Sequence, residues 1–535
     1  MTLEAEIRER ALGVSSQTEK EGLLTKADEC RERKEKGNEQ LKLVSQKYSE
    51  AMKQLREQPS TDRPSSAPGV ASAAAALLAN AGAKDEAWKA LAYLGGFGSH
   101  FATEAVQGAL PVGQNSPQKV PFGLFAEQLQ GSAFTCPRTT NRRSWVYRLS
   151  PSAAQARMVP SARTETLVSS DFHVVDPRPR RWGAMPLPSA SGTDWLSGLR
   201  TICGAGGPTT KDGVAIHMYG CNAPMVDCAF CNADGELLIV PQLGVLLVTT
   251  ELGRLRVAPG EIVVIPRNIR FAIDPIVPAL TTDTDEAACR GYVLEVFTAR
   301  GLTLPDLGPI GANGLAEPRD FMSPSAWYED RECAAGFTIT TKYAGKLFDA
   351  ECPHSPWDVV AWHGNYTPYK YDLSRFHAIN TVTVDHSDPS IFTVLSAPSS
   401  EPGVAVADFV IFPPRWMCAE NTFRPPYFHR NVMSEFMGLV GGTYDAKKGG
   451  KGGFVPGGAS LHVASTPHGP DATTYAAAVA ADTTKPVKFG GGLAFMFETN
   501  ALLTLTAHAV DPEKSCVQED YHECWKGLPR ARIPV

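Results

Sequence analysis

Between Glu236 and Ile273 short runs of branched apolar residues (LLIV, VLLVTT, LRV, IVVI, RFAI) are separated by turns at Leu252-Gly253, Ala258-Pro259-Gly260 and Pro266-Arg267-Asn268. Runs this short, recurring at roughly 8–12-residue spacing, predict the strands of a β-sandwich or jelly-roll barrel. The same texture of aromatic and turn residues extends from near Tyr93 to the end of the chain. The first 57 residues read differently: 24 are charged, none is Pro, and Tyr48 is the single aromatic. Leu23, Leu24 and Ala27, then Leu41, Val44, Tyr48, Ala51, Met52 and Leu55, recur at helical spacing. This predicts a charged helical extension over residues 1–58, two helices broken near Gly37. A Pro/Ser/Ala-rich linker, residues 59–90, follows.

Composition narrows the classes. Hydrophobic residues at 43% and charged residues at 20% are ordinary for a globular chain. A net charge of −6 over 535 residues excludes a generally basic nucleic-acid binder and provides no polybasic footprint for a membrane surface. The longest Ala/Leu-rich stretch, Ala71 to Ala83, falls short of the ~20 apolar residues that cross a bilayer. The N-terminus lacks the apolar core of a secretory signal, so the expected location is cytoplasmic. Twelve scattered cysteines fit reduced thiols. The one C-x-x-C, Cys228 to Cys231, has no second pair to complete a zinc site and reads as two ordinary thiols near a loop. His217, alone beside the β-rich run, reads as structural.

Chemistry concentrates further on. Seven of the twelve histidines fall between residues 354 and 468. In RPPYFHRNVMSEFMGL, His429 and Glu435 stand six apart, and His462 and His468 repeat that offset. Side chains six apart share a face of a strand, and Pro425 and Pro426 favour extended backbone. Two imidazoles and a carboxylate on a β scaffold can fill one face of a metal and leave the other open, as in non-haem Fe(II) oxygenases. Zinc hydrolases use the same donors, usually within a helical H-E-x-x-H that is absent here. The bland alternative is a set of core histidines and a glutamate satisfied by hydrogen bonds.

Longer stretches are more specific. YLGGFGSHFATEA, GLFAEQLQGSAFTCPRTTNRRSWVYR, LPDLGPIGANGLAEPRDF, WHGNYTPYKYDL, DHSDPSIFTVL, ADFVIFPPRWM, FRPPYFHRNVMSEFMGL and LHVASTPHGPD follow in order over about residues 93–530. This set resembles the homogentisate 1,2-dioxygenases. The resemblance implies a mainly β fold: an N-terminal β domain, residues 91–373, then a cupin-like β-sandwich or jelly-roll catalytic domain, residues 374–535. It implies an oxidoreductase that uses Fe(2+) to insert both atoms of O2 into homogentisate. The product is 4-maleylacetoacetate, in tyrosine and phenylalanine catabolism. It further implies a homohexamer, a dimer of trimers. Residue by residue, His429, Glu435 and His468 match the family's iron ligands. His386 matches its acid–base histidine, and Tyr444 its substrate-binding tyrosine. His468 borders the substrate as well, and His462, Asn431 and Arg430 match positions at or near the pocket. With neutral imidazoles, Glu435 would leave a ferrous site with net charge +1, suited to an anionic aromatic ligand.

The chain departs from the family pattern in places. KKGGKGGF, Lys447 to Phe454, is three residues longer than the usual loop after Tyr444. Gly441 stands where a basic residue is common, and residues 278–288 read as an insertion. The first ~90 residues have no counterpart, so the resemblance assigns them no role; the helical extension reads as a solvated or self-associating helix pair, with an arm for an unidentified protein partner as the alternative. Two other functions stay in view: a related dioxygenase acting on another dihydroxyaromatic acid, and a cupin-like scaffold without catalysis.

Overall fold

The computed structural model describes residues 91–163, 172–189, 192–276, 288–307, 311–379, 392–447 and 453–534. The helical extension, the linker, His386, most of the 278–288 insertion and the lengthened part of the loop after Tyr444 lie outside the described residues.

The described chain is mainly β, and its two largest cores lie on opposite sides of one sheet. That sheet has nine antiparallel strands, with Glu261–Ile265, Glu236–Leu243, Cys289–Val296 and Asp212–Cys221 side by side in its middle. Along Glu236–Leu243, Leu237 and Ile239 join a core with Phe230, Val248 and Phe271 from a seven-stranded sheet. Leu238 and Val240 point the other way and join Phe409, Phe436, Leu461 and Phe497 from a six-stranded sheet. The result is three stacked β layers. A strand buried on both faces needs apolar residues at every position, which explains the unbroken LLIV run. Each large side chain buried this way contributes roughly 1.5–3 kcal/mol.

One polar cluster crosses the interface between the central and seven-stranded sheets. Lys342 Nζ, fully buried, contacts Glu295 Oε1 at 2.5 Å and Asp234 Oδ2 at 3.1 Å. Glu295 also accepts from Asn232 Nδ2 at 2.8 Å, and its other oxygen lies 3.3 Å from His217 Nε2. His217 Nδ1 meets Thr201 Oγ1 at 2.9 Å, so this histidine is fully used by the core. Cys228 and Cys231 are free thiols on the strand Cys228–Asn232, which starts directly after a turn. Three residues apart, they face opposite sides of the sheet and cannot share a metal.

The six-stranded sheet runs Thr393–Pro398, Ala405–Phe412, Gly492–Thr499, Ser434–Gly442, Ala459–His462, Arg180–Trp182. Its last strand comes from the first half of the chain and pairs with Ala459–Leu461. In return Thr504–Leu505 pairs with Gly204 and Cys203 at the edge of the central sheet. The two halves therefore exchange edge strands. Trp182, almost fully buried, pins this crossing by donating its indole N–H to the Ala509 carbonyl at 2.8 Å.

Candidate metal centre and its pocket

The site lies on the outer face of the six-stranded sheet, away from the central layer. Alternation sends Phe436 and Phe497 inward and Glu435, Met437, Met496 and Glu498 outward. Cross-strand register then sets a row of polar side chains: Asp408 opposite Glu498, Glu498 opposite Glu435, and Glu435 opposite His462.

His429 reaches Glu435 by another route. It is not on the strand that carries Glu435. The backbones of His429 and His468 pair with each other through hydrogen bonds of 2.9 and 3.0 Å. The chain then turns through Asn431–Met433 before the strand starts at Ser434. The six-residue offset thus works through a turn rather than through strand alternation. The two imidazole rings sit edge-on, with centroids 4.3 Å apart.

The hydrogen bonds of these rings fix their tautomers. His429 Nδ1 lies 2.8 Å from the Tyr427 carbonyl, and His468 Nδ1 lies 2.9 Å from the Thr466 carbonyl. A carbonyl only accepts, so both Nδ1 atoms carry hydrogen and both neutral rings turn an Nε2 lone pair toward Glu435. His429 Nε2 is 3.6 Å from Glu435 Oε1, and His468 Nε2 is 3.0 Å from Oε2. Close as it is, the buried His468 Nε2 makes no hydrogen bond. One donor atom from each of His429, Glu435 and His468 falls within 4.8 Å of the others, the one such cluster among the described residues. Two lone pairs and a carboxylate aimed at a common point, with Nδ1–H tied to backbone, fit a divalent metal.

His462 is built the opposite way. Its Nε2 lies 2.8 Å from Tyr521 Oη and 3.3 Å from Lys447 Nζ. An ammonium only donates, so Nε2 accepts and Nδ1 carries hydrogen, 3.8 Å from Glu435 Oε2. His462 stacks on His468 with centroids 4.1 Å apart and ring planes 4° from parallel. It backs the centre without offering it a lone pair. Asn431 is a second support: its Nδ2 donates to Glu435 Oε1 at 2.9 Å while its Oδ1 accepts from Met433 N–H.

The electrostatics follow. Burial alone would raise the Glu435 carboxyl, but His429, His462 and His468 together hold it well below the usual carboxylate range. Contact with Glu435 raises His429. Burial, then Lys447, pushes His462 well down, so it stays neutral. Glu498 is pushed up to about 8 by burial and by the nearby Glu435 and Asp408 carboxylates, so of the facing pair Glu435 and Glu498 it is Glu435 that is charged. Burial brings Lys447 down to about 8.

A pocket continuous with solvent opens over the centre. Phe412, Pro426, Met437, Tyr444, Ala446 and Met496 supply an apolar wall, and Asn431, Lys447, His462 and Glu498 are its further polar members. Tyr444 is buried, with its ring edge-on to Phe412 and Phe454. The structure thus brings together His429, Glu435, His468, Asn431, His462 and Tyr444. Arg430 is exposed and not part of the lining, and His386 lies outside the described residues. Sequence reasoning passed over Lys447, Tyr521 and Glu498. Glu498 had a faint signal, as an acid two residues beyond Met496 on a strand whose alternate residues are apolar. Tyr521 had none, since only tertiary packing carries it 59 residues back to His462.

Family models described as homogentisate 1,2-dioxygenase N-terminal and C-terminal match residues 92–373 and 374–532. A human protein named homogentisate 1,2-dioxygenase is 51% identical over 456 residues, covering 83% of this chain and 99% of that protein. Among solved structures, a variant of Bacillus subtilis oxalate decarboxylase is 9% identical, with a TM-score of 0.25, covering 63% of this chain and 80% of that one. A cupin 2 conserved barrel domain protein from Leptotrichia buccalis is 7% identical, with a TM-score of 0.23, covering 63% of this chain and 100% of that one. Structural likenesses this slight carry no argument; the assignment rests on sequence. By the two family models and the human relative, the chain belongs to the homogentisate 1,2-dioxygenase family.

Proposed function

We propose that the chain opens the aromatic ring of homogentisate with both atoms of O2, yielding 4-maleylacetoacetate in tyrosine and phenylalanine breakdown. His429, Glu435 and His468 would hold Fe(II). The observation that carries this reading is the pair of tautomer-locked Nε2 lone pairs converging on Glu435 at the floor of an apolar pocket. The iron, when bound, supplies the redox chemistry by which ground-state O2 reacts with an aromatic ring, and the electrostatic template that holds both reactants together.

The chain's own residues do the rest. Asn431 holds the Glu435 carboxylate by a hydrogen bond, and His462 backs the centre by stacking on His468. Phe412, Met437, Met496 and Tyr444 receive the ring and keep water from it. Tyr444 orients the substrate, which His468 and His462 border. His386 takes a phenolic proton and later returns one, a task matched to an imidazole near neutral pH. The molecule works as a homohexamer, a dimer of trimers, in the cytoplasm. Residues 91–373 form its N-terminal β domain and 374–535 its catalytic domain. Among the described residues no helix is long and apolar enough to cross a membrane.

Anaerobic loading with Fe(II), followed by oxygen uptake with homogentisate, tests the proposal. Uptake that depends on iron and yields a ring-opened product is expected. Uptake with gentisate but not with homogentisate would move the substrate to another dihydroxyaromatic acid, a reading kept in view by the longer loop after Tyr444. No uptake with either would leave a scaffold. Replacing His386 by Phe should lower turnover far more than iron content; equal loss of both would make it a structural residue.

A further inference from the structure

Lys447 is the unexplained charge of the pocket. Its side chain is 5% exposed and lines the pocket beside Tyr444 and Ala446. Its ammonium donates to Tyr521 Oη and to His462 Nε2, both neutral. It also lies over two aromatic faces, 4.8 Å from the Tyr521 ring centre and 5.8 Å from that of Trp525. Arg181 stacks on Tyr521 at 4.4 Å, so the hydroxyl that receives Lys447 is itself held beside a second cation. Among the described residues Lys447 Nζ forms no direct ion pair; Glu435 and Asp471 act on it only from farther off, and burial outweighs them. The nearby Glu435 already accepts from Asn431 and faces the three imidazoles of the centre.

A buried ammonium held only by neutral acceptors costs free energy unless something supplies the opposite charge. Other buried cations of this chain have their counter-ions built in. Lys342 has Glu295 and Asp234, and Arg148 has Glu127, Glu251 and Asp358. Lys447 differs from both in belonging to the lining of a pocket. The rest of that pocket offers an apolar wall for a ring and a metal centre for one polar group. A ligand that satisfies all three is an aromatic ring with a chelating oxygen and a separate anionic substituent.

We infer that Lys447 docks the carboxylate of the aromatic substrate, with Tyr521 and His462 holding its ammonium in position. The inference rests on the proposed dioxygenase reading and adds the residue that selects for an acid. The charge-assisted hydrogen bond would account for about tenfold or more in affinity.

The test uses the full Fe(II)-loaded chain. Homogentisate and the carboxylate-free 2-methylhydroquinone are titrated under anaerobic conditions into wild type and Lys447→Met, with Lys447→Gln as a second variant. The expected result, with binding expressed per bound iron, is homogentisate binding weakened about tenfold or more and 2-methylhydroquinone binding unchanged. Equal weakening of both ligands, or of neither, would overturn the inference and leave Lys447 as a support for His462. On the wild type, 2-hydroxyphenylacetate should inhibit turnover better than its amide; equal inhibition would overturn the inference whatever the variants do. Failure of wild type to consume oxygen with homogentisate would instead sink the activity itself.

Discussion

At Glu435 the side-chain atoms are divided among different tasks. One oxygen receives Asn431 and faces His429, and the other faces His468 and His462. Loss of a donor atom and loss of a support should therefore separate experimentally. Glu435→Gln removes the charge at the centre, and iron content after dialysis should fall to near background. His462→Phe keeps an aromatic ring stacked on His468 but drops the N–H facing Glu435. Iron affinity should fall by roughly 10–100-fold, the usual cost of removing an outer-sphere partner. Metal analysis and competition with a chromogenic chelator read both. If His462→Phe loses iron as fully as Glu435→Gln, His462 is a ligand and the tautomer argument fails. The residue types of the centre were legible in the sequence, because His429, Glu435 and His468 cluster in two short segments. Which of His462 and His468 offers a lone pair was not legible. That choice is made by Lys447 and by the Thr466 carbonyl, whose positions follow from packing.

Among elements, the strand Ser434–Gly442 bears the strictest demands, since one face carries the site and the other seals the core. Gly438 sits on the sealing face. A Cβ there would lie 2.3 Å from Phe495 Cε1 and 3.0 Å from Tyr292 Cζ. Gly438→Ala should cost about 1–3 kcal/mol by overpacking, read as a lower denaturant midpoint with an unchanged slope. The cluster joining the central and seven-stranded sheets makes a second prediction. Burial would raise Glu295, but Lys342 and His217 outweigh it and bring the carboxyl down to about 2. Its folded value lies below its ordinary 4.5, so its contribution is complete above that pH. It is lost as pH falls from about 4.5 toward 2. Lys342→Met leaves Glu295 buried without its cation and should destabilise by about 3–5 kcal/mol, with that acid-side decline in stability largely removed. The strands themselves were readable from their short apolar runs. The layer order was not, because a run buried on both faces carries no alternation to say which side meets which neighbour.

For the whole molecule, the two family models span residues 92–532 and 99% of the human relative is covered, so the part of the chain after position 90 carries the family's sequence. A chain starting at residue 91 should keep its thermal midpoint within a few degrees and retain iron-dependent turnover. A collapse of stability on truncation would show that the N-terminal segment completes the fold. The sequence separated that segment by charge and by the absence of proline. What it did not reveal is the exchange of Arg180–Trp182 for Thr504–Leu505 between the halves, which depends on pairings about 280 and 300 residues apart.

That exchange has a consequence for how the enzyme can be damaged. A protease nick at residues 373–374 would cut no sheet, since every strand on either side keeps its neighbours. Yet pulling the pieces apart would strip Leu238, Val240 and Ile216 of their cover on one side and Phe409, Phe436 and Phe497 on the other. Neither fragment could then stay in solution alone. Nicked molecules should therefore remain associated, with their metal held, until a denaturant releases both pieces together.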